Sequence, residues 1–292
     1  MSTGSKKVDF FCIGAAKAGT TWLYQQLSQH PGVARARAKE INYFNPQHPE
    51  YPDRPNPDFE QPIAWYHAHF EACDPALLWA DYATAYLRYP ASATRIKRYQ
   101  PDAKLIVLLR DPVDRALSHH RFLYQWGLVE EEDFRAAAKK HENILQSGLY
   151  GAQLSAWMQH FPAEQFLLPD YARISTDPAA LLQEVHDFLG LPAFIPDRLH
   201  ERPNASKGIR SKRLHKGIQW LRAGWQALPA KDRMSPTLTR LGARRLLHRL
   251  YASNQGEHQL PPLDAATHQW LRDYYHHDQQ KLKALIGWSH WA

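Results

Sequence analysis

The sequence predicts a three-layer α/β fold: a central, mostly parallel sheet flanked by helices, continued by a helical C-terminal part. Three observations carry this. Two apolar runs, Val8 to Ile13 and Lys104 to Leu109, each lead through a short turn into a segment of helical periodicity. The second run is continuously apolar from Leu105 to Leu109, as a strand buried on both faces of a parallel sheet must be. Elsewhere strand-like and helix-like stretches alternate, the pattern of an open α/β sheet.

Taken in order, the first strand runs into Gly14-Ala-Ala-Lys-Ala-Gly-Thr-Thr21, and a helix opens at Trp22-Leu23-Tyr24. The proline-rich polar stretch from Pro46 to Pro62 reads as an irregular surface loop. Leu77 to Tyr82 predicts a short strand and Ala91 to Tyr99 a helix. After the strand at Lys104, Asp111 is placed to cap a helix whose first turn holds Pro112, with helical periodicity from Val113 to Trp126. Glu130 to Gln146 and Tyr150 to His160 read as helices and Gln165 to Leu168 as a strand. Pro178 to Leu189 is amphipathic, with Leu181, Leu182, Val185, Phe188 and Leu189 on one side. The end of the chain predicts a long helix through Leu271, Tyr274, Leu282 and Leu285. Residues 1–292 read as a single domain, in which 46–62 is a loop insertion and 205–292 is mostly helical.

Composition narrows the class. Hydrophobic residues make up 44% and charged residues 22%, which is globular. The two cysteines, Cys12 and Cys73, supply neither a disulfide framework nor a zinc ligand set, and no metal site is expected. The polar N-terminus and the brief apolar run behind it fit neither a signal peptide nor a membrane span, so a soluble, cytoplasmic protein is expected. The net charge of +7 points to acidic partners, and a polyanionic nucleotide suits it as well as nucleic acid does.

A strand, a glycine-bearing turn with a lysine inside it, and a helix start make an anion cradle. In the ATP-type P-loop the lysine follows the second glycine and precedes the magnesium-binding hydroxyl. Here Lys17 precedes Gly19, with Thr20 and Thr21 after it, an order that suits a donor handled without a metal. The second strand-turn-helix unit carries Arg110 in its turn and Ser118 eight residues on, a pair able to close on one phosphate from two sides. One of the two threonines remains open as a simple helix cap, and Arg115 reads as a structural ion-pair partner.

Together these residues resemble the sulfotransferases that use 3′-phosphoadenosine 5′-phosphosulfate (PAPS). Ile13 to Trp22 is similar to that family's 5′-phosphosulfate loop, and Leu108 to Ser118 to its 3′-phosphate motif. Ser147-Gly148-Leu-Tyr150, Trp157, Asp177-Pro178 and Phe188-Leu189-Gly190 resemble the middle section; Asn204 to Arg210 resembles the late loop that closes over the nucleotide, and Gly287 to Trp291 a common C-terminal ending. Lys39-Glu40-Ile-Asn-Tyr43-Phe44 resembles the carbohydrate, heparan-type branch and its bacterial relatives.

The resemblance implies direct in-line transfer of a sulfuryl group from PAPS to a hydroxyl or amine of a carbohydrate or small-molecule acceptor. It places Lys17, Ala18, Gly19, Thr20, Thr21, Trp22, Arg110, Ser118, Lys207, Gly208 and Arg210 around the donor, with Lys17 at the bridging oxygen. Glu40 is implied as the general base. Asp81 is a second candidate, and the His67 to His69 region a third. The stretch Asp81-Tyr-Ala-Thr-Ala-Tyr86 lacks the family's usual proline, which leaves the acceptor class open. Two rival classes stand beside this one: a P-loop NTPase or small-molecule kinase, and a non-catalytic nucleotide- or nucleic-acid-binding protein drawing on Arg210, Lys212, Arg213, Arg240, Arg244, Arg245 and Arg249.

Overall fold

Five consecutive residues, Phe10–Gly14, are all buried and form the central strand β1. The computed structural model describes residues 6–49, 51–201, 208–211, 213–218, 220, 249–256 and 260–288. After β1 come α1 (Thr20–Leu27), β2 (Val33–Ala34), α2 (Ile63–His67), β3 (Leu78–Tyr82), α3 (Pro90–Tyr99), β4 (Lys104–Val107) and α4 (Pro112–Gln125). They are followed by α5 (Phe134–Lys140), α6 (Asn143–Gln146), α7 (Tyr150–Met158), β5 (Phe166–Leu167), α8 (Arg173–Thr176) and α9 (Pro178–Leu189). β6 (Gly208–Ile209), β7 (Gln255–Gly256) and a C-terminal helix, Ala265–Ile286, complete the series. Among the described residues no helix is long and apolar enough to cross a membrane.

The chain forms two compact units. The first, Met1–Arg115 with Leu145–Pro203 and Leu271–Ala292, holds the sheet. Its order is β2-β3-β1-β4-β5, and every pairing is parallel, with Phe11 opposite Asp81 on one side and Leu105 on the other. From β1 the chain leaves toward β2, and from β4 toward β5. The carboxyl ends of β1 and β4 therefore flank the topological switch point, where open α/β sheets bind ligands. Those ends are tied together: the Leu108 N–H donates to the Gly14 carbonyl, the Ala15 N–H to the Leu108 carbonyl and the Tyr171 N–H to the Leu109 carbonyl, at 3.0, 3.0 and 2.7 Å.

Helix starts follow their caps. Asp111 accepts from the N–H groups of Val113 and Asp114 at 2.9 Å, and Asp177 accepts from Ala180 at 3.1 Å with Pro178 in the first turn. α7 lacks such a local cap. The carboxylate of Asp278, on the C-terminal helix, takes the N–H groups of Gly151 and Ala152 instead, each at 2.8 Å. A β-carbon at Gly151 would stand 2.4 Å from the Asp278 carbonyl oxygen, so glycine permits the approach. Asp278→Ala strips a buried and a part-buried donor of their acceptor and is expected to cost about 1–3 kcal/mol, read as a lower denaturant midpoint at unchanged m-value.

The second unit comprises Ala116–Ile144 and Asn204–Trp270. In it Arg135 donates to the Thr267 hydroxyl at 2.9 Å, and β6 and β7 pair antiparallel. The helix expected over 130–146 is two helices, because the chain leaves helical geometry at His141 (φ −126°, ψ 77°). β2 carries no sequence signal of its own: at two residues it is too short for a period, and only its pairing with β3 makes it a strand.

Candidate active site

The loop between β1 and α1 turns on two left-handed residues, Lys17 at φ 67° and Gly19 at φ 89°. Gly19 is the N-cap of α1, and no side chain caps the helix, so neither threonine serves as its cap. A β-carbon at Gly19 would lie 2.3 Å from Ile174 Cδ1, which with the backbone angle restricts the position to glycine. Lys17 holds a left-handed conformation that a lysine adopts only at a cost of order 1 kcal/mol, a strain typical of functional turns. Trp22 is buried and its indole N–H donates to the Leu199 carbonyl at 3.0 Å, which fixes the first turn of α1.

Arg110 follows β4 and reaches this loop, donating from Nη1 to the Lys17 carbonyl at 3.2 Å. Its guanidinium lies 4.6 Å from the ring centre of Tyr171, just after β5, and its Nε is buried without a hydrogen-bond partner. Arg115 is fully buried and hydrogen-bonds Tyr275. Burial, with the charges of Arg110, Lys39 and Arg115, pushes the Lys17 ammonium down to about 8. Four cations around a helix N-terminus and an orphaned guanidinium N–H are a site built for a polyanion.

Glu40 also sits in a left-handed conformation, φ 60°, in a turn closed by the Asn42 side-chain amide donating to the Glu40 carbonyl at 2.8 Å. Its own N–H donates to the Tyr82 carbonyl at 2.8 Å, pinning the turn to the end of β3. Oε2 accepts the Thr84 N–H at 3.0 Å, and Oε1 faces Lys39 Nζ at 3.3 Å. The same ammonium donates to Thr21 Oγ1 at 3.2 Å, so Lys39 links the carboxylate to the first turn of α1. With 34% of its side chain exposed, Glu40 is open to a substrate.

Asp81 is different. It is 1% exposed, and its Oδ2 accepts the hydroxyls of Tyr66 and Tyr86 at 2.9 and 2.8 Å, while Oδ1 is buried without a partner. Burial pushes its carboxyl up to about 7, against the pull of the two hydroxyls. His67 shares a hydrogen bond with the Tyr99 hydroxyl at 3.0 Å, and that hydroxyl accepts the Val8 N–H ahead of β1, at the opposite end of the strand from the loop. His69 stacks edge-on against Trp65.

The structure thus brings Lys17, Ala18, Gly19, Thr20, Thr21, Trp22, Glu40 and Arg110 to the sheet's carboxyl end within the first unit. Ser118 lies half-buried on α4, and Gly208 on β6 and the exposed Arg210 also belong to the second unit. Lys207 lies outside the described residues, as do Lys212, Arg240, Arg244 and Arg245 of the basic C-terminal third. Sequence reasoning passed over Lys39, Thr84 and Tyr171. The first was legible as the neighbour of Glu40; the other two act through a backbone N–H and a ring stack, which leave no local pattern.

The family model described as "Sulfotransferase domain" matches residues 7–204. Heparan sulfate glucosamine 3-O-sulfotransferase 6 of Homo sapiens is 32% identical over 207 residues, covering 68% of this chain and 56% of that protein. Heparan sulfate glucosamine 3-O-sulfotransferase 3A1 of Homo sapiens is 31% identical over 222 residues, covering 72% and 50%. The chain therefore spans about half the length of these curated relatives. A crystal structure of a sulfotransferase from Alicyclobacillus acidocaldarius superposes with a TM-score of 0.59 at 26% identity, covering 83% of this chain and 96% of that one.

Proposed function

The chain belongs to the family of sulfotransferase domains, and on that premise we propose that it transfers the sulfuryl group of PAPS to a hydroxyl of a carbohydrate acceptor, of the heparan type on which its 3-O-sulfotransferase relatives are named to act. The observation that carries the donor assignment is geometric: at the glycine-capped start of α1, Arg110 bonds the Lys17 carbonyl at 3.2 Å and keeps a buried, unpartnered Nε, with the Lys17 charge set beside those of Arg110, Lys39 and Arg115. That charge is held together at a cost unless an anion joins it.

The residues fit PAPS, which supplies an activated sulfur and a phosphate leaving group. The N–H groups at the start of α1 and Lys17 would hold the 5′-phosphosulfate. Arg110 would hold the 3′-phosphate, and the resemblance alone adds Ser118, Lys207, Gly208 and Arg210 to the donor's ligands. Glu40 takes the acceptor's proton on a carboxylate oxygen as the acceptor oxygen bonds to sulfur. The bond from sulfur to the bridging oxygen breaks, and its electron pair stays on the phosphate. Lys17 stabilises the charge growing on that oxygen. Glu40 is preferred to Asp81 because it is open to a substrate and Asp81 is sealed behind two tyrosines.

Calorimetry with adenosine 3′,5′-bisphosphate in the presence of EDTA tests the donor site. The bisphosphate is expected to bind at least tenfold more tightly than AMP, since a second phosphate adds charge-assisted bonds; equal affinities would defeat the two-phosphate reading. The pH dependence has a definite sign. An anion favours charged Lys17, whose ammonium titrates at about 8 in the free protein. Affinity is therefore steady with respect to Lys17 below that pH and falls by up to about tenfold per unit above it, with proton uptake on binding. Lys17→Met should abolish that dependence. Incubating the protein with labelled PAPS and heparan-type oligosaccharides, phenols and amines in parallel tests the acceptor class, and labelling confined to phenols or amines would overturn the carbohydrate reading.

A further inference from the structure

Lys39 adds to the positive field of the donor site, but the donor and base assignments give its ammonium no ligand of its own. Its ammonium bonds Thr21 Oγ1 at 3.2 Å and Glu40 Oε1 at 3.3 Å, with only 21% of the side chain exposed. An ammonium has three N–H donors; these two bonds leave one for an anionic oxygen brought to the first turn of α1. Glu40 is meanwhile held by Thr84, whose N–H donates to Oε2 at 3.0 Å and whose hydroxyl donates to Oε1 at 3.4 Å, so movement of the lysine does not release the carboxylate from its place.

We propose that Lys39 is a donor-gated positioning residue, shared between the Glu40 carboxylate and the sulfuryl end of the bound donor. Before the donor arrives, Glu40 is the counter-ion of Lys39. A sulfuryl group at the α1 N-terminus adds a second anion on the Thr21 side and draws the ammonium from Oε1. That oxygen then keeps only the Thr84 hydroxyl at 3.4 Å, and its other lone pair is open to the acceptor's proton only when there is a sulfuryl group to transfer. The inference rests on the reading of this site as a PAPS site with Glu40 as base.

The physical signature is a difference between two nucleotides. Adenosine 3′,5′-bisphosphate has the phosphates and lacks the sulfuryl group, so Lys39 should matter for PAPS and not for the product. Calorimetry without acceptor, on the wild type, Lys39→Met, Lys39→Arg and Glu40→Gln, reads this directly. Lys39→Met is expected to weaken PAPS about five- to tenfold and the bisphosphate by less than twofold, and Lys39→Arg to restore at least half of the lost PAPS affinity on a logarithmic scale. In a Glu40→Gln background, where the ammonium is no longer shared, the Lys39→Met loss on PAPS should grow at least threefold.

Equal weakening of both nucleotides, no weakening of either, or strict additivity with Glu40→Gln would each overturn the proposal. Failure of the base assignment looks different: Glu40→Gln would keep full turnover on the acceptor found by labelling, with the PAPS-specific loss in Lys39→Met intact. Failure of the donor reading looks different again, as neither nucleotide would bind the wild type.

Discussion

Lys17→Ala is expected to lower kcat by about 10²–10³ while raising the dissociation constant of adenosine 3′,5′-bisphosphate by no more than about tenfold. A fixed cation beside an oxygen that gains charge stabilises the transition state more than the ground state, and removal of one such stabiliser costs a rate factor of this size. The measurement is steady-state turnover on the acceptor found by labelling, paired with calorimetry. A raised donor KM at unchanged kcat would reduce Lys17 to uniform binding. The same substitution should leave the empty protein no less stable. Lys17 is held charged at neutral pH against burial and three neighbouring cations. Its folded-state pKa lies below its ordinary value, so the unfolded chain binds the proton more tightly, and the lysine opposes folding until the pH passes both values.

Glu40→Gln is expected to fold, to bind the bisphosphate normally and to lose about 10²-fold or more in kcat. The amide keeps the shape and can still accept the Thr84 N–H through its oxygen, yet it cannot take a proton. The loss should shrink for acceptors whose nucleophile is already deprotonated at the assay pH, which no packing defect would reproduce. If Glu40→Gln stays active while Asp81→Asn or His67→Ala is inactive, the base is the residue that failed. The Asp81 result needs a stability control, since its carboxylate joins Tyr66 and Tyr86 in the interior.

The loop between β1 and α1 was legible because it is local. Its strand, its turn glycine and its helix start are consecutive residues, and an anion site made from backbone N–H groups needs little from the rest of the chain. Arg110 was legible for the same reason, as the cation at the end of a second apolar run. The Lys-Glu pair could be singled out only through its resemblance to a family, because Glu40 is one carboxylate among 29 acidic residues and has no pattern of its own. The family match places the chain among sulfotransferase domains, a class that the permuted lysine by itself left open beside the P-loop NTPases.

Sequence alone determined the fold class, the order of its strand-turn-helix units and the place of the glycine-bearing loop proposed to hold the donor, since hydrophobic period and turn chemistry are properties of neighbours along the chain. Tertiary structure decided the rest. The order β2-β3-β1-β4-β5 sets the β1 and β4 ends side by side, so Lys17 and Arg110 meet across 93 positions of sequence. It hides Asp81 behind Tyr66 and Tyr86, which come from separate segments, and leaves Glu40 in the open, although both are carboxylates beside the same strand end. It makes Arg115 an interior cation and Lys39 a link between loop and carboxylate. Burial and charge–charge coupling depend on distances through space, and no spacing along a single chain records them.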